Sequence, residues 1–190
     1  MINILLIDCG SRKVPDIEIM LQKEGALAQT ISLEKSKSEN IQVYNGVVIS
    51  GAPVLLTETD QEKFLSEISW IQQFKKPVLG ICFGHQLMGL LNGAKIYRCE
   101  EDRKEQKILS VAPSSLFHGL PAEFVMKEDH CEAISLPRDF QLAASSVVCE
   151  NEAMQHNKLP WFGVQFHPEV SGENGRIIFR NFFNICKEHL

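Results

Sequence analysis

Cys82 stands between two glycines, Gly80 and Gly84, where an apolar run, Val78 to Ile81, meets a helical pattern of Gln86, Leu87, Met88, Leu90 and Leu91. That is the local chemistry of a sharp strand-to-helix turn, in which the central side chain projects from the top of a sheet. A side chain at either flanking position would collide with the tightly turned backbone. Backbone N–H groups at a helix start favour a thiolate over a thiol. Cys82 therefore reads as an activated nucleophile in need of a base.

A free thiol has a pKa of ~8.5, so little of it is ionised at neutral pH. A neighbouring imidazole would take the proton and later return it to a leaving group. Of the six histidines, His167 is the strongest candidate, because it lies at the end of a stretch, Trp161 to Phe166, that reads as a strand. A strand end on the carboxyl edge of a parallel sheet would place it beside Cys82. Pro168 biases His167 toward extended backbone. Residues two apart then share a side, so Glu169 can turn its carboxylate to the imidazole, fix the ring and stabilise the imidazolium. The plainer alternative is a surface turn with an ordinary histidine and glutamate. His85, three residues after Cys82, is the second candidate base, although a nucleophile on such a turn points away from the helix that follows. His130, between Asp129 and Cys131, is expected in a loop, with a site-lining role open to it. His118, His156 and His189 read as solvated surface.

Thiolate attack on an amide creates an oxyanion, which two backbone N–H groups should face. Phe83, directly after the nucleophile, supplies one by geometry. The Gly51-Ala52-Pro53 loop, after another short apolar run, is placed to supply the second from Gly51 or Ala52. Losing one such donor typically costs ~10²–10³ in rate.

The elements that must position these groups follow from periodicity. Ile2 to Ile7, Leu27 to Leu33, Gly46 to Ser50 and Pro77 to Ile81 read as strands. Helices are expected from Pro15 to Gly25, from Thr59 to Phe74, and from Cys82 to Asn92-Gly93. The alternation implies an α/β fold with a doubly wound, mostly parallel central sheet, flanking helices and ligands at the carboxyl ends of the strands. The second half reads as shorter strands joined by loops, a smaller antiparallel extension, closed by a helix over Gly175 to His189. The mixed charge run Glu100 to Lys107 reads as a solvated loop. One domain over residues 1–190 is expected from the length and from a hydrophobic content of 44%.

A net charge of −5 argues against a nucleic-acid or anionic-membrane partner. No window approaches the ~20 apolar residues of a membrane span. Met1 to Ile7 lacks a preceding basic region and reads as a strand, not a signal peptide. Six cysteines without C-x-x-C spacing read as reduced cytoplasmic thiols, and no metal is expected.

Taken together these residues resemble the class I (triad) glutamine amidotransferases. Gly80-Ile-Cys82-Phe-Gly84-His-Gln86 matches their G-x-C-x-G-x-Q nucleophile motif, and Gln165-Phe-His167-Pro-Glu169 matches their His-x-Glu motif. Ser50-Gly51-Ala52-Pro53 is similar to their oxyanion loop, with Ala52 where the family usually has glycine. Within the family the chain looks most like the glutaminase subunit or domain of GMP synthase. The likeness lies in Asp8-Cys-Gly10-Ser11, Asp129-His130-Cys131-Glu132 and Glu152-Ala-Met154. Arg12-Lys13, Asp129 and Glu132 depart from the residues common there.

The resemblance implies a flavodoxin-like fold and a Cys82-His167-Glu169 triad that hydrolyses the side-chain amide of L-glutamine through a γ-glutamyl thioester. It implies no cofactor. Gln86 and the His130, Cys131 and Glu132 segment would bind substrate. Ammonia would pass to a separate ATP-pyrophosphatase-type synthetase. A stand-alone γ-glutamyl peptide hydrolase and a regulatory or binding module of the same fold are the alternatives.

Overall fold

The computed structural model describes residues 1–190. Its first half alternates strand and helix: β1 (Asn3–Asp8), α1 (Val14–Lys23), β2 (Leu27–Ser32), a single turn α2 (Leu33–Ser36), β3 (Gly46–Ile49), α3 (Gln61–Ile68), β4 (Val78–Ile81) and α4 (Phe83–Leu91). The second half runs through β5 (Ile96–Asp102), β6 (Glu105–Ser110), β7 (Glu123–Lys127), β8 (His130–Ile134), β9 (Phe140–Ser145), β10 (Ala153–His156) and β11 (Trp161–Val164), and closes with α5 (Gly172–Glu188).

Nine strands form one sheet in the order β2-β1-β3-β4-β11-β10-β9-β6-β7. The first five are parallel, and β10, β9, β6 and β7 extend the sheet antiparallel beyond β11. β5 and β8 pair separately as an antiparallel ribbon. The inner parallel strands β1, β3, β4 and β11 are apolar without alternation because both their faces are covered, whereas the edge strand β2 is only half-buried. Leu5 and Ile7 of β1 pack into the layer with Ile68, Phe83 and Leu87 of α3 and α4. Ile4 and Leu6 pack into the opposite layer with Ile17, Leu21, Phe179 and Phe182 of α1 and α5.

Three local expectations need correction. Glu100 to Lys107 is not a loop: it ends β5 and begins β6. Most of its charged side chains are exposed, and Lys107 and Glu123 pair at 2.9 Å across the β6–β7 ladder. Asp102 lies on the inward side and is 3% exposed. His130 likewise opens a strand, β8, not a loop. The helix expected from Thr59 to Phe74 starts at Gln61, because the Asp60 carboxylate accepts the Glu62 N–H at 3.1 Å and caps it. It tightens to a 3₁₀ turn at Ser69–Gln73, where the three-residue spacing of Ile71 and Phe74 buries both. β10 goes beyond what the sequence suggests, since its four residues carry no two-residue alternation; Ala153 and Met154 are both buried.

Candidate active site

β4 ends at Ile81 and α4 starts at Phe83, leaving Cys82 alone to turn the chain. Its backbone takes φ 50°, ψ −103°, and no other non-glycine residue has positive φ. Such a conformation costs about 1–3 kcal/mol and persists only where its surroundings enforce it. Two contacts enforce it here. A Cβ on Gly84 would lie 2.3 Å from the Ile49 carbonyl oxygen, and one on Gly80 would lie 2.7 Å from the Gly84 backbone. The glycines thus let the helix start press against β3 and β4. On the other side, Cys82 N–H donates to the Val164 carbonyl at 2.8 Å and fastens the turn to β11.

That bond also sets the distance to His167, three residues beyond Val164. A Cβ placed on Gly51 would sit 3.1 Å from His167 Cε1 and 3.7 Å from Cys82 Cβ, so the loop after β3 borders both side chains. His167 Nδ1 lies 2.7 Å from Glu169 Oε1, and both residues are buried. Ser171 Oγ donates to the His167 carbonyl at 2.6 Å and holds the turn that brings Glu169 round. Burial alone would lower the His167 pKa. The charge and hydrogen bonding of Cys82, then of Glu169, overcome it and raise the imidazole to about 10. The arrangement is an imidazolium facing the Cys82 sulfur, with the Glu169 carboxyl group behind the ring.

The backbone groups expected to face an oxyanion are free to do so. Phe83 opens α4, and the first N–H groups of a helix have no intrahelical acceptor. Gly51 and Ala52 donate no backbone hydrogen bond to the rest of the protein. Ala52 has no positive φ, so the backbone here accepts alanine in place of glycine without strain. It lines a cleft of about 550 Å³ together with Cys82, Phe83, Gln86, His130 and His167.

The residues expected around the substrate divide in two. Gln86, 3% exposed, gives its Nε2–H groups to the Glu132 carbonyl and to Gln165 Oε1, both at 3.1 Å. The Gln165 amide in turn donates to Cys82 Sγ at 3.5 Å. Gln86 therefore orders a side chain on the nucleophile. The Glu132 carboxylate is occupied by Leu56 N–H (2.8 Å), Thr57 N–H (2.9 Å) and the Thr57 hydroxyl. It ties down the segment whose Val54 and Leu55 line the cleft. Cys131 and His130 line the cleft as well; Cys131 Sγ accepts from Arg98, and His130 Nδ1 lies 3.0 Å from the Glu132 carbonyl.

His85 does not join this group. It is fully buried against β11, where a Cβ on Gly163 would come within 2.4 Å of Nδ1. Burial, then the nearby His130, lower its pKa to about 3, so it is a neutral core residue. His156 is not solvated surface either: its ring packs between Phe140 and Trp161, with centroids at 4.9 and 5.5 Å.

Sequence reasoning missed four contributors. Gln165 is two residues before His167, and the side-sharing argument that found Glu169 would have found it too. Asp129 brings its carbonyl 4.0 Å from Cys82 Sγ. Its carboxylate meets Lys13 at 2.5 Å and Arg103 at 3.7 Å across the cleft mouth. Burial opposes ionisation of Asp129, but the Lys13 ammonium outweighs it and holds the carboxyl below its usual range. Lys13 and Arg103 carried no motif and could be found only by folding the chain.

A cysteine elbow backed by a histidine–carboxylate pair, on a parallel sheet of this order, defines a class of thiol-dependent acyl-transfer enzymes. The profile of the family "Glutamine amidotransferase class-I" matches residues 5–186, and the chain belongs to that family. It is 36% identical over 190 residues to the glutamine-hydrolyzing GMP synthase subunit of Pyrococcus abyssi, covering 97% of this chain and 99% of that protein. A crystal structure of a putative GMP synthase subunit from Thermoplasma acidophilum superposes with a TM-score of 0.91 at 31% identity, covering 99% of this chain and 95% of that one. A glutamine amidotransferase from Thermotoga maritima shares the fold, with a TM-score of 0.78 at 20% identity over 98% of this chain and 84% of that one.

Proposed function

We propose that this chain is the glutamine-hydrolysing subunit of a GMP synthase-type enzyme and supplies ammonia to a separate ATP-dependent synthetase. The observation that carries the reading is the Cys82 elbow facing His167, whose ring Glu169 holds at 2.7 Å. The near full-length likeness to glutamine-hydrolyzing GMP synthase subunits supports the choice within the family.

The Cys82 thiolate attacks the side-chain carbonyl carbon of L-glutamine, and the oxygen takes the negative charge. Phe83 N–H and the Gly51 or Ala52 N–H are aimed at that oxygen. The His167 imidazolium gives its proton to the amide nitrogen, the C–N bond breaks and ammonia leaves. A γ-glutamyl thioester remains on Cys82. Water then gives a proton to neutral His167 and attacks the thioester; the C–S bond breaks, glutamate leaves and the ion pair is restored. Glu169 keeps the imidazole in one orientation through both steps. Gln165 and the Gln86 amide hold the resting sulfur in line. The Lys13–Asp129–Arg103 group at the mouth supplies both charge signs for the α-amino and α-carboxylate groups of the substrate.

The six cysteines are unpaired, which suits a reducing compartment, and the cytoplasm is the compartment proposed. No helix is long and apolar enough to cross a membrane. The test measures glutamate and ammonia from L-glutamine, with the purified chain alone and with an ATP-pyrophosphatase-type synthetase and its nucleotide acceptor. Glutamine hydrolysis that rises with the synthetase and vanishes in Cys82→Ala is expected. Rapid cleavage of γ-glutamyl peptides with free glutamine untouched would sink the proposal and establish a peptide hydrolase. Full hydrolysis in Cys82→Ala would remove the triad from the mechanism.

A further inference from the structure

Behind the cleft lies a second constellation that the triad does not use. Glu128 stands in the turn between β7 and β8, His130 opens β8, and Glu152 directly precedes β10. All three are buried, and the Glu128 and His130 side chains are 0% and 2% exposed. One ligating atom from each lies within 4.8 Å of those of the other two. Asp102, at the inward end of β5, is close enough to act electrostatically on both glutamates.

What marks this group is the shortage of donors. Glu128 and Glu152 have only each other and, for Glu152, the Ser146 side chain, with no backbone N–H or cation on any of their oxygens, and Asp102 Oδ2 and Asn151 Oδ1 are unsatisfied. No lysine or arginine pairs with Glu128, Glu152 or Asp102, whereas Asp129, on the exposed side of the same turn, has two cations. Unsatisfied buried carboxylates are among the costliest groups a protein can hold.

The histidine settles what sort of partner is missing. His130 Nδ1 lies 3.0 Å from the Glu132 carbonyl, which only accepts, so Nδ1 carries the hydrogen. On the neutral ring Nε2 then presents a lone pair, and it faces Glu128 Oε2 at 3.4 Å. A lone pair aimed at a carboxylate oxygen calls for a positive species between them, either a shared proton or a metal ion. A histidine that donates one nitrogen to a backbone carbonyl and offers the other is the usual posture of a metal ligand. Two ligands on one tetrahedral ion, each bonded at ~2.0–2.2 Å, stand about 3.4 Å apart.

We propose that Glu128, His130 and Glu152 form a buried site for a divalent first-row transition ion, with zinc the ion that this imidazole–carboxylate set suits best. Asp102 or Asn151 would complete four-coordination. The site would be structural. It would join the β7–β8 turn to β10 and hold the start of β8, and with it the Asp129 carbonyl, against the Cys82 sulfur.

The test is a zinc titration of the metal-free chain in the Cys82→Ala background, where the catalytic thiol cannot compete, against a chromophoric chelator. One equivalent per chain is expected, with a higher thermal midpoint. Affinity should fall at least tenfold in Glu128→Gln and in Glu152→Gln. Cobalt in place of zinc should give ligand-field bands without thiolate charge transfer, because Cys99 and Cys149 border the group but are not among its ligands. Sub-stoichiometric binding, unchanged affinity in both variants, or a thiolate band would each overturn the site. Should the variants not fold, X-ray absorption of the zinc-loaded parent decides: a shell of nitrogen and oxygen supports the assignment and one containing sulfur defeats it.

Discussion

The proton on His167 is held mainly by its neighbours, and its loss has a definite sign. An exposed imidazole titrates near pH ~6.5. In the folded chain His167 stays protonated to about 10. Between those values the native state binds a proton that the unfolded chain has released. The stabilisation is therefore complete below about pH 6.5 and is lost as pH rises through 10. Urea unfolding at neutral and strongly alkaline pH should show that loss, and less of it in Cys82→Ala. In that variant the His167 pKa should fall, read from its imidazole carbon-bound protons by NMR. An unmoved pKa would mean that Glu169 alone holds the proton. Hydrolysis should decline over the same alkaline range, because neutral His167 cannot protonate leaving ammonia. Glu169→Gln, which keeps the shape but not the charge, should lower turnover roughly 10²–10⁴-fold with KM little changed. Most of this chemistry was legible in the sequence, since the triad residues sit in two short stretches whose local geometry is fixed by glycine and proline. Lys13 and the buried Glu128–Glu152 pair were not, because each meets its neighbours only when distant parts of the chain fold together.

At the level of the element, glycines do two different jobs. Gly84 touches backbone, since an added Cβ meets the Ile49 carbonyl at 2.3 Å. Gly93 has nothing within 4 Å but a φ of +84°. Gly84→Ala should cost about 1–3 kcal/mol by denaturant unfolding and should also displace the elbow, so that activity falls further than stability. Gly93→Ala should cost about 1 kcal/mol through backbone strain alone and leave hydrolysis per folded molecule intact. The Glu132 tether gives a third case. Glu132→Gln replaces a doubly accepting carboxylate with one acceptor and an NH₂ group that opposes the Leu56 and Thr57 donors. Loss of about 1–3 kcal/mol is expected, with faster amide hydrogen exchange at Leu56 and Thr57 and a raised KM for glutamine. The inner strands of the parallel half could be read directly, for continuous apolar runs stand out when both faces are covered. The Glu100 to Lys107 stretch could not, because a strand whose outer face is charged looks like a loop until its partner strand is known.

For the whole molecule, the sheet order explains why two stretches 85 residues apart can form one centre. The order β2-β1-β3-β4-β11 puts the carboxyl ends of β4 and β11 side by side, Val164 opposite Ile81. The parallel half follows the doubly wound rule that the sequence pattern suggested. The antiparallel half was only sketched by it, since its short strands are joined in an order that no periodicity reports. β11 is last in the chain and yet central, flanked by β4 and β10.

That placement has a consequence during synthesis. Until Trp161 to Val164 have left the ribosome, β4 has no partner on one side, Cys82 N–H has no Val164 carbonyl to hold its strained turn, and His167 has not been made. A nascent chain therefore carries a thiol but no reactive centre. Chains stalled at Leu159 should resist covalent labelling by a glutamine-like electrophile such as 6-diazo-5-oxo-norleucine, and the released, folded chain should accept it at Cys82. Synthesis order thus acts as a safety catch, keeping the emerging polypeptide from consuming glutamine before it is whole.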